Sequence, residues 1–365
     1  MMDRVLFTKG HGTGNDFVIL PDPDGALELT PALVAALCDR HRGIGADGVL
    51  RVVRTAKHPD SAGYAAEAEW FMDYWNADGS IAEMCGNGVR VFTRYLLTHG
   101  LAEPAPAGLP VATRAGIVHA VISGDLISVH MRTPEVYAAG TATVGPLTVP
   151  GLAVDCGNPH LVAALHDGVR LESLDLHVPP GYDPALFTEG VNVEFTTPGA
   201  AVPGADLHVH MRVYERGSAE TLSCGSGALA VGAVALRDAG LEQGTVAVDV
   251  PGGRLRVTAD DQGRWWLAGP AVLVATGEID LSTLLSGSSA AGEAVLSGSS
   301  AAGEAVLSGS SAAGEAVLSG SSAAGEAVLS GSSAAGDAVS SGFSVAGEAA
   351  MPPGLPAGAG SGALG

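Results

Sequence analysis

The sequence predicts an α/β chain of two sheet-wrapped lobes followed by a low-complexity tail. Three observations carry that prediction. Ten short runs alternate or are rich in Val and Ile, only three segments read as convincing helices, and a phrase around Cys85 returns around Cys224, 139 residues later.

In chain order, "RVLFTK" and "DFVIL" read as strands. "TPALVAALCDRH" reads as a helix because Thr30 offers an N-cap oxygen and Pro31 suits the first helical position; Cys38 falls on it as ordinary core. "GVLRVV" and "AEWFMDYW" are strands, after which a polar segment ends at Cys85 and "VRVFTRYLL" begins a helix with Val89, Phe92 and Leu96 on one face. "GIVHAVIS", "LISVHM", "GVNVEF" and "ADLHVHMRVYE" follow as strands. "GALAVGAVAL", just after Cys224, is a helix that is apolar all round and should be buried on every side; "TVAVDV" and "GRLRVTAD" complete the strands.

The 365 residues are 47% hydrophobic and 5% aromatic, enough for two domains with buried cores. A formal charge of -21, with 18 basic residues against 39 acidic ones, argues against a nucleic-acid partner, which needs clustered Lys and Arg. The first residues show no basic start followed by an apolar core, and no apolar run reaches membrane-spanning length, so a cytoplasmic protein without a membrane partner is expected. The four cysteines, Cys38, Cys85, Cys156 and Cys224, form no C-x-x-C pair and are expected as thiols.

From Leu285 the phrase "LSGSSAAGEAV" recurs every 11 residues, and a decayed sixth copy starts at Ser340. Each copy carries three Ser, two Gly and little apolar surface, so burial does not offset the entropy of ordering it, and residues 285–365 are expected to be mostly disordered. An 11-residue helical or solenoid repeat is the rival reading, which two glycines per repeat disfavour. The terminal "GSGALG" matches a dinucleotide fingerprint but follows no strand.

Both copies of the repeated phrase lead through polar residues into C-G-x-G and then a helix: Cys85, Gly86, Asn87, Gly88 and Cys224, Gly225, Ser226, Gly227. Glycines uncover main-chain N–H groups at a helix N-terminus, a site for a carboxylate, and the same partial charge should lower each thiol's pKa. Two such units facing each other would hold one substrate carboxylate between helix ends, with a sulfur on either side of its α-carbon. That arrangement suits stereoinversion, in which one thiolate removes the α-proton and the opposite thiol returns a proton to the other face. A lone C-G-x-G would more often be a buried cysteine before a tight turn. No pyridoxal cofactor is expected, since only Lys9 and Lys57 could form a Schiff base and neither has a suggestive context. "GSGALA" lacks the strand a dinucleotide site needs. His208 and His210 in "HVH" could ligate a metal from one strand face, but no third ligand is apparent, so solvent-facing histidines are the simpler reading and no metal is required.

"KGHGTGNDFVIL", "RGIGADGVL", "NADGSIAEMCGNGVR", "CGNPHLV", "GVNVEF", "MRVYERGSAETLSCGSGA" and "VPGGRLRV", in this order and spacing, closely resemble the diaminopimelate epimerase family over residues 4–283. The resemblance implies a cofactor-free epimerase that interconverts LL- and meso-2,6-diaminopimelate for lysine and peptidoglycan synthesis, and a homodimer. It also implies two pseudo-symmetric lobes, each a mostly antiparallel sheet around a central helix: 1–131 with a returning strand in 271–284, and 132–270. Cys85 and Cys224 would be the acid/base thiols, Cys85 taking the proton from the LL isomer, with His160 partnering the first thiol and Glu215 the second. Asn15, Asn76, Asn158, Asn192 and Arg216 would hold the distal amino-acid end, and Gly86, Asn87, Gly225 and Ser226 would supply donors to the α-carboxylate. Read alone, His160 is a strand-end histidine, Glu215 and Arg216 a surface ion pair, and the asparagines turn-formers. The chain departs from the family pattern at Ala219, where glycine is usual, and at Ser223; if position 219 needs positive φ, alanine strains the turn that holds Glu215. Two other readings are a two-thiol proline or hydroxyproline racemase, and a non-catalytic scaffold in which the tail is the active part.

Overall fold

The computed structural model describes residues 4–288 and four short strand segments beyond them. The elements are β1 Arg4–Gly12, β2 Asn15–Pro21, α1 Pro31–Cys38, β3 Gly48–Arg54, β4 Trp70–Asn76, α2 Gly86–Thr98, β5 Leu109–Thr113, β6 Gly116–Ser123, β7 Leu126–Met131, β8 Glu135–Val144 and β9 Leu147–Asp155. They continue with β10 Pro159–Ala164, β11 Asn192–Pro198, β12 Leu207–Glu215, β13 Ala219–Thr221, α3 Gly225–Asp238, β14 Gly244–Val250, β15 Gly253–Ala259, β16 Trp265–Pro270, β17 Val272–Asp280 and α4 Leu281–Ser288.

All ten expected strands are present. So are the three helices: Thr30 caps α1 by accepting from the Leu33 N–H at 3.2 Å, and α3 is buried over nearly all of its first twelve residues. Strands β5, β8, β9, β10, β13 and β16 lie outside the ten expected runs, and β17 is the returning strand that the family resemblance implies.

The repeated phrase corresponds to a repeated topology. Strands β2 and β3 pair parallel, β3 and β4 antiparallel, and β4 pairs parallel with β5 after the crossover through α2. In the second half, β10 and β11 pair parallel, β11 and β12 antiparallel, and β12 pairs parallel with β14 after the crossover through α3. Each half therefore contains a strand–helix–strand unit with its cysteine at the strand-to-helix junction. Helix α2 packs against β1–β7, β16 and β17, whereas α3 packs against β9–β12, β14 and β15. The pairing of β7 with β16 joins the two sets of strands, and β17 returns to pair antiparallel with β1.

The side chains around α2 and α3 form one continuous core that runs from Phe17 and Leu50 through Phe92 and Leu229 to Leu267. A second core, including Leu161, Phe187 and Phe195, fills the space beneath β8–β11.

Residues 288–365 form a separate unit. In it Leu296–Ser297 pairs parallel with Leu318–Ser319, and Ala305–Ser308 with Ala327–Ser330. The expectation of disorder for the rest of that segment lies outside the described residues.

Candidate active site

Both cysteines are N-caps with extended backbone, at φ -143°, ψ 118° for Cys85 and φ -110°, ψ 118° for Cys224. Each sulfur accepts the main-chain N–H three residues on, from Gly88 at 3.3 Å and from Gly227 at 3.4 Å. Caps are normally oxygen acceptors, so a thiol here gives up helix stability for something other than capping.

The two helix N-termini abut. A Cβ at Gly86 would lie 3.1 Å from Leu267 Cδ2, and one at Gly225 would lie 3.0 Å from that same atom and 3.4 Å from Asn87 Oδ1. Glycine at both positions lets the two helix ends close over one leucine of β16. Asn87, almost fully buried, spans the seam: its Nδ2 donates to the Ser223 carbonyl at 3.1 Å and to Asn15 Oδ1 at 3.2 Å. The departure at Ser223 adds a further link, because its hydroxyl pairs with Thr13 Oγ1 at 2.8 Å, and Arg90 Nη2 donates to the same Thr13 oxygen at 3.2 Å. Thr13 sits at φ 53° in the two-residue turn between β1 and β2, an uncommon conformation for a β-branched residue.

Asn15 is oriented from behind. Its Nδ2 donates to Asp47 Oδ2 at 2.9 Å, which turns its carbonyl oxygen toward Cys85 Sγ, 3.6 Å away. Asp47 also accepts from Arg40 at 2.7 Å, and Arg40 grips Asp16, to which Lys9 donates at 2.6 Å.

Glu215 closes the site from the Cys224 side. Thr221 donates to its carboxyl, which burial pushes above its usual pKa against the hydrogen bonds of Thr221 and Cys224. His160 stands differently from expectation. Its Nδ1 shares a 2.6 Å hydrogen bond with Glu194 and its Nε2 lies 3.0 Å from Asn158 Oδ1, so the hydrogen bonds of both ring nitrogens go to residues other than Cys85. Neither His160 nor Glu194 is exposed, and burial raises the Glu194 pKa despite the histidine. The Glu194 carboxylate also abuts the first turn of α3, where a Cβ at Gly227 would lie 2.6 Å from its Oε1.

The expectation that helix ends lower the thiol pKa values is corrected. Burial pushes Cys85 up to about 11, against the Gly88 N–H that favours its thiolate. Cys224 is also raised well above the usual thiol value by burial, with the charges of Glu215 and Glu194 adding to it. Desolvation of a buried sulfur outweighs one long N–H···S bond and a partial helix charge.

The remaining expected residues divide. Asn192 Oδ1 accepts from the Arg216 main-chain N–H at 2.9 Å and so positions that turn. The Arg216 guanidinium donates to the Glu189 carbonyl at 2.7 Å and forms no ion pair among the described residues, so the surface ion pair with Glu215 that the two residues suggest when read alone is not made. Asn76 acts as a turn-former, donating to Ser80 Oγ at 3.0 Å. Ser226 Oγ lies 3.6 Å from Cys224 Sγ. Ala219 is at φ 59°, as its departure from glycine suggested. Sequence reasoning missed Asp47, Glu194 and Arg90. Glu194 carries a faint signal, a single charge inside an apolar strand, whereas Asp47 sits in the bend before β3 and Arg90 shares α2 with Arg94; Arg90 is wholly buried with Nε and Nη1 unpartnered.

Two helix-capping thiols brought together by duplicated strand–helix–strand units define a fold of the racemase and epimerase type. The fold is shared with a phenazine biosynthesis protein of the PhzF family from Bacillus anthracis (TM-score 0.56, 17% identity, 76% of this chain and 99% of that one). It is shared also with a hydroxyproline epimerase from Agrobacterium vitis (TM-score 0.51, 14% identity, 76% and 92%). Within that class the chain belongs to the diaminopimelate epimerase family, whose model matches residues 7–137 and 152–281. It is 50% identical over 294 residues to the diaminopimelate epimerase of Streptomyces coelicolor, covering 78% of this chain and 98% of the relative. To that of Mycolicibacterium smegmatis it is 48% identical over 291 residues, 76% and 97%.

Proposed function

We propose that this chain interconverts LL- and meso-2,6-diaminopimelate without a cofactor, as a step toward lysine and peptidoglycan precursors. The observation that carries the reading is the meeting of two cysteine-capped helix ends over Leu267.

On the LL isomer, Cys85 as thiolate takes the α-proton, the C–H electron pair passes toward the carboxylate, and the Cys224 thiol protonates the opposite face. The meso isomer runs the same steps in reverse. Main-chain N–H groups at the two helix ends, around Gly86, Asn87, Gly225 and Ser226, hold the α-carboxylate and stabilise its developing charge. Because both thiols are raised in pKa, a thiolate needs a nearby acceptor; the Glu215 carboxylate, whose own pKa is raised, can take the Cys224 proton. Asn15 Oδ1 accepts a hydrogen bond from the Cys85 thiol and orients it without taking its proton, which passes to solvent when Cys85 becomes the thiolate. His160, held by Glu194 and Asn158, acts as a positioning residue beside α3. The Arg216 guanidinium, which is held by the Glu189 carbonyl and forms no ion pair among the described residues, is suited to bind the distal carboxylate. The division into lobes 1–131 with 271–284 and 132–270, a homodimer and a cytoplasmic location belong to the same reading.

Solvent exchange tests it. In D2O, LL-diaminopimelate should gain one deuterium at an α-carbon and yield the meso isomer, and Cys85→Ala or Cys224→Ala should stop net epimerisation while leaving the fold intact. Deuterium uptake into proline but not diaminopimelate would give the racemase reading, and exchange into neither would give the scaffold reading.

A further inference from the structure

The H-x-H pair of β12 is not absorbed by the reaction site, and the fold supplies the third ligand that the sequence did not reveal. His208 and His210 project from the same face of β12 with ring centroids 4.7 Å apart. The parallel pairing of β12 with β14 sets Asp249 directly opposite His210. Asp249 Oδ2 is 2.9 Å from His208 Nε2 and 3.8 Å from His210 Nδ1, and one ligand atom from each residue lies within 4.8 Å of the other two.

The tautomer of His208 sharpens the point. Its Nδ1 is bonded to the Ala200 carbonyl, which can only accept, so that nitrogen carries a proton. A neutral ring then aims its Nε2 lone pair at a carboxylate oxygen. Two acceptors at 2.9 Å require a proton or a metal cation between them. A main-chain carbonyl on the far nitrogen is also the common outer partner of a metal-binding histidine.

We propose that His208, His210 and Asp249 form a divalent transition-metal site of the zinc class, outside the thiol site, that fastens β12 to β14. Metal–ligand bonds of about 2.0–2.2 Å place ligand atoms ~3–4 Å apart, which matches both carboxylate separations. The His210 side chain is 45% exposed and has room to turn inward, while His208 is 5% exposed and fixed. Water completes the coordination on the exposed side. Arg254 is the built-in competitor: it holds Asp249 through Nε on Oδ1 at 2.5 Å and Nη2 on Oδ2 at 2.8 Å. An ion arriving at Oδ2 displaces Nη2 and leaves the Nε bond in place. The site would act on the strand that ends at Glu215, five residues beyond His210.

The test is calorimetric titration with Zn2+ of the full chain carrying Cys85→Ala and Cys224→Ala, so that the active-site thiols supply no ligand. One equivalent should bind, weakened at least about tenfold by His210→Ala or Asp249→Asn and tightened by Arg254→Ala. His210→Ala, at a half-exposed position, is the variant least able to disturb folding. As a second readout, Zn2+ should raise the thermal midpoint of the parent protein and not that of His210→Ala. Equal Zn2+ affinity in parent, His210→Ala and Asp249→Asn would overturn the proposal. So would the absence of Zn2+ binding in the parent.

Discussion

Asn15 and Asp47, 32 positions apart, are joined by a 2.9 Å hydrogen bond that decides which end of the Asn15 amide faces Cys85. Asp47→Asn removes the carboxylate that fixes this choice and leaves Arg40 one partner short. The expected outcome is a folded protein with kcat/KM lowered by about tenfold to a hundredfold, since misplacement of a group by about 1 Å is enough for such a loss. Steady-state kinetics with circular dichroism checks it, and unchanged kcat/KM would show that Asn15 needs no such orientation.

The buried thiols give a reactivity prediction. With Cys85 pushed up to about 11 and Cys224 also well above the usual thiol value, little thiolate exists at neutral pH, so alkylation by iodoacetamide should be slow at pH 7 and rise about tenfold per pH unit up to pH 10. Cys85, the more exposed of the two, should label first, and substrate should protect it. Mass spectrometry of quenched samples reads both effects. A rate that levels off below pH 8 would mean that burial does not dominate.

Ala219 offers a gain. At φ 59° an L-residue carries a cost that glycine avoids, roughly 1 kcal/mol, so Ala219→Gly should raise stability by about that amount. Urea denaturation should show a higher midpoint with an unchanged slope. Because Ala219 pairs with Glu215, a change in turnover in the same variant would report relief of the turn that holds the carboxyl.

The Glu194–His160 pair should be costly to break. Both side chains are wholly buried, and removing one member leaves the other without its partner, typically worth about 3–5 kcal/mol. Glu194→Ala should lose most of that, and Glu194→Gln, which keeps the shape and one hydrogen bond, much less. Equal stability of the two variants would mean that only the volume of the side chain matters.

Asp16 should contribute to acid sensitivity. Burial alone would raise its pKa, but the hydrogen bonds and charges of Arg40 and Lys9 hold it down to about 2. A depressed folded-state value contributes stability above the unfolded value of about 3.9 and loses it as pH falls toward 2. Asp16→Asn should therefore flatten the stability–pH curve between about pH 4 and 2 while leaving its shape above pH 5 unchanged.

The duplicated cysteine phrase made the architecture legible, because a lone C-G-x-G is ambiguous while the same phrase twice, each time leading into an apolar helix, implies two equivalent units. Each thiol, its cap and its helix followed from nearest-neighbour chemistry. What stayed hidden depends on contacts across long separations. Asp47 acts through Asn15, and Glu194 through His160, 34 positions away, while Asp249 meets the histidines only because β12 lies parallel to β14. The thiol pKa values were misjudged for a related reason: the helix charge is written in the local sequence, but desolvation is set by everything packed around the sulfur. The partnership of His160 with a thiol rests on a motif match alone, and the contacts that hold its ring, Glu194 and Asn158, are not written beside it in that motif's role.

The pairing of β1 with β17 sets a schedule as well as a shape. Strand β1 must wait for β17 before one of its edges is satisfied along the ladder from Arg4–Asp280 to His11–Val272. At about 5–20 residues per second, translation separates the two strands by roughly 15–50 s. During that interval Leu6, Phe7 and the unpaired N–H groups beside them are open to wrong partners, another nascent copy among them. The vulnerable moment in this protein's life is thus on the ribosome, and its yield in a cell should respond to elongation rate and holding chaperones more than to changes in the finished fold.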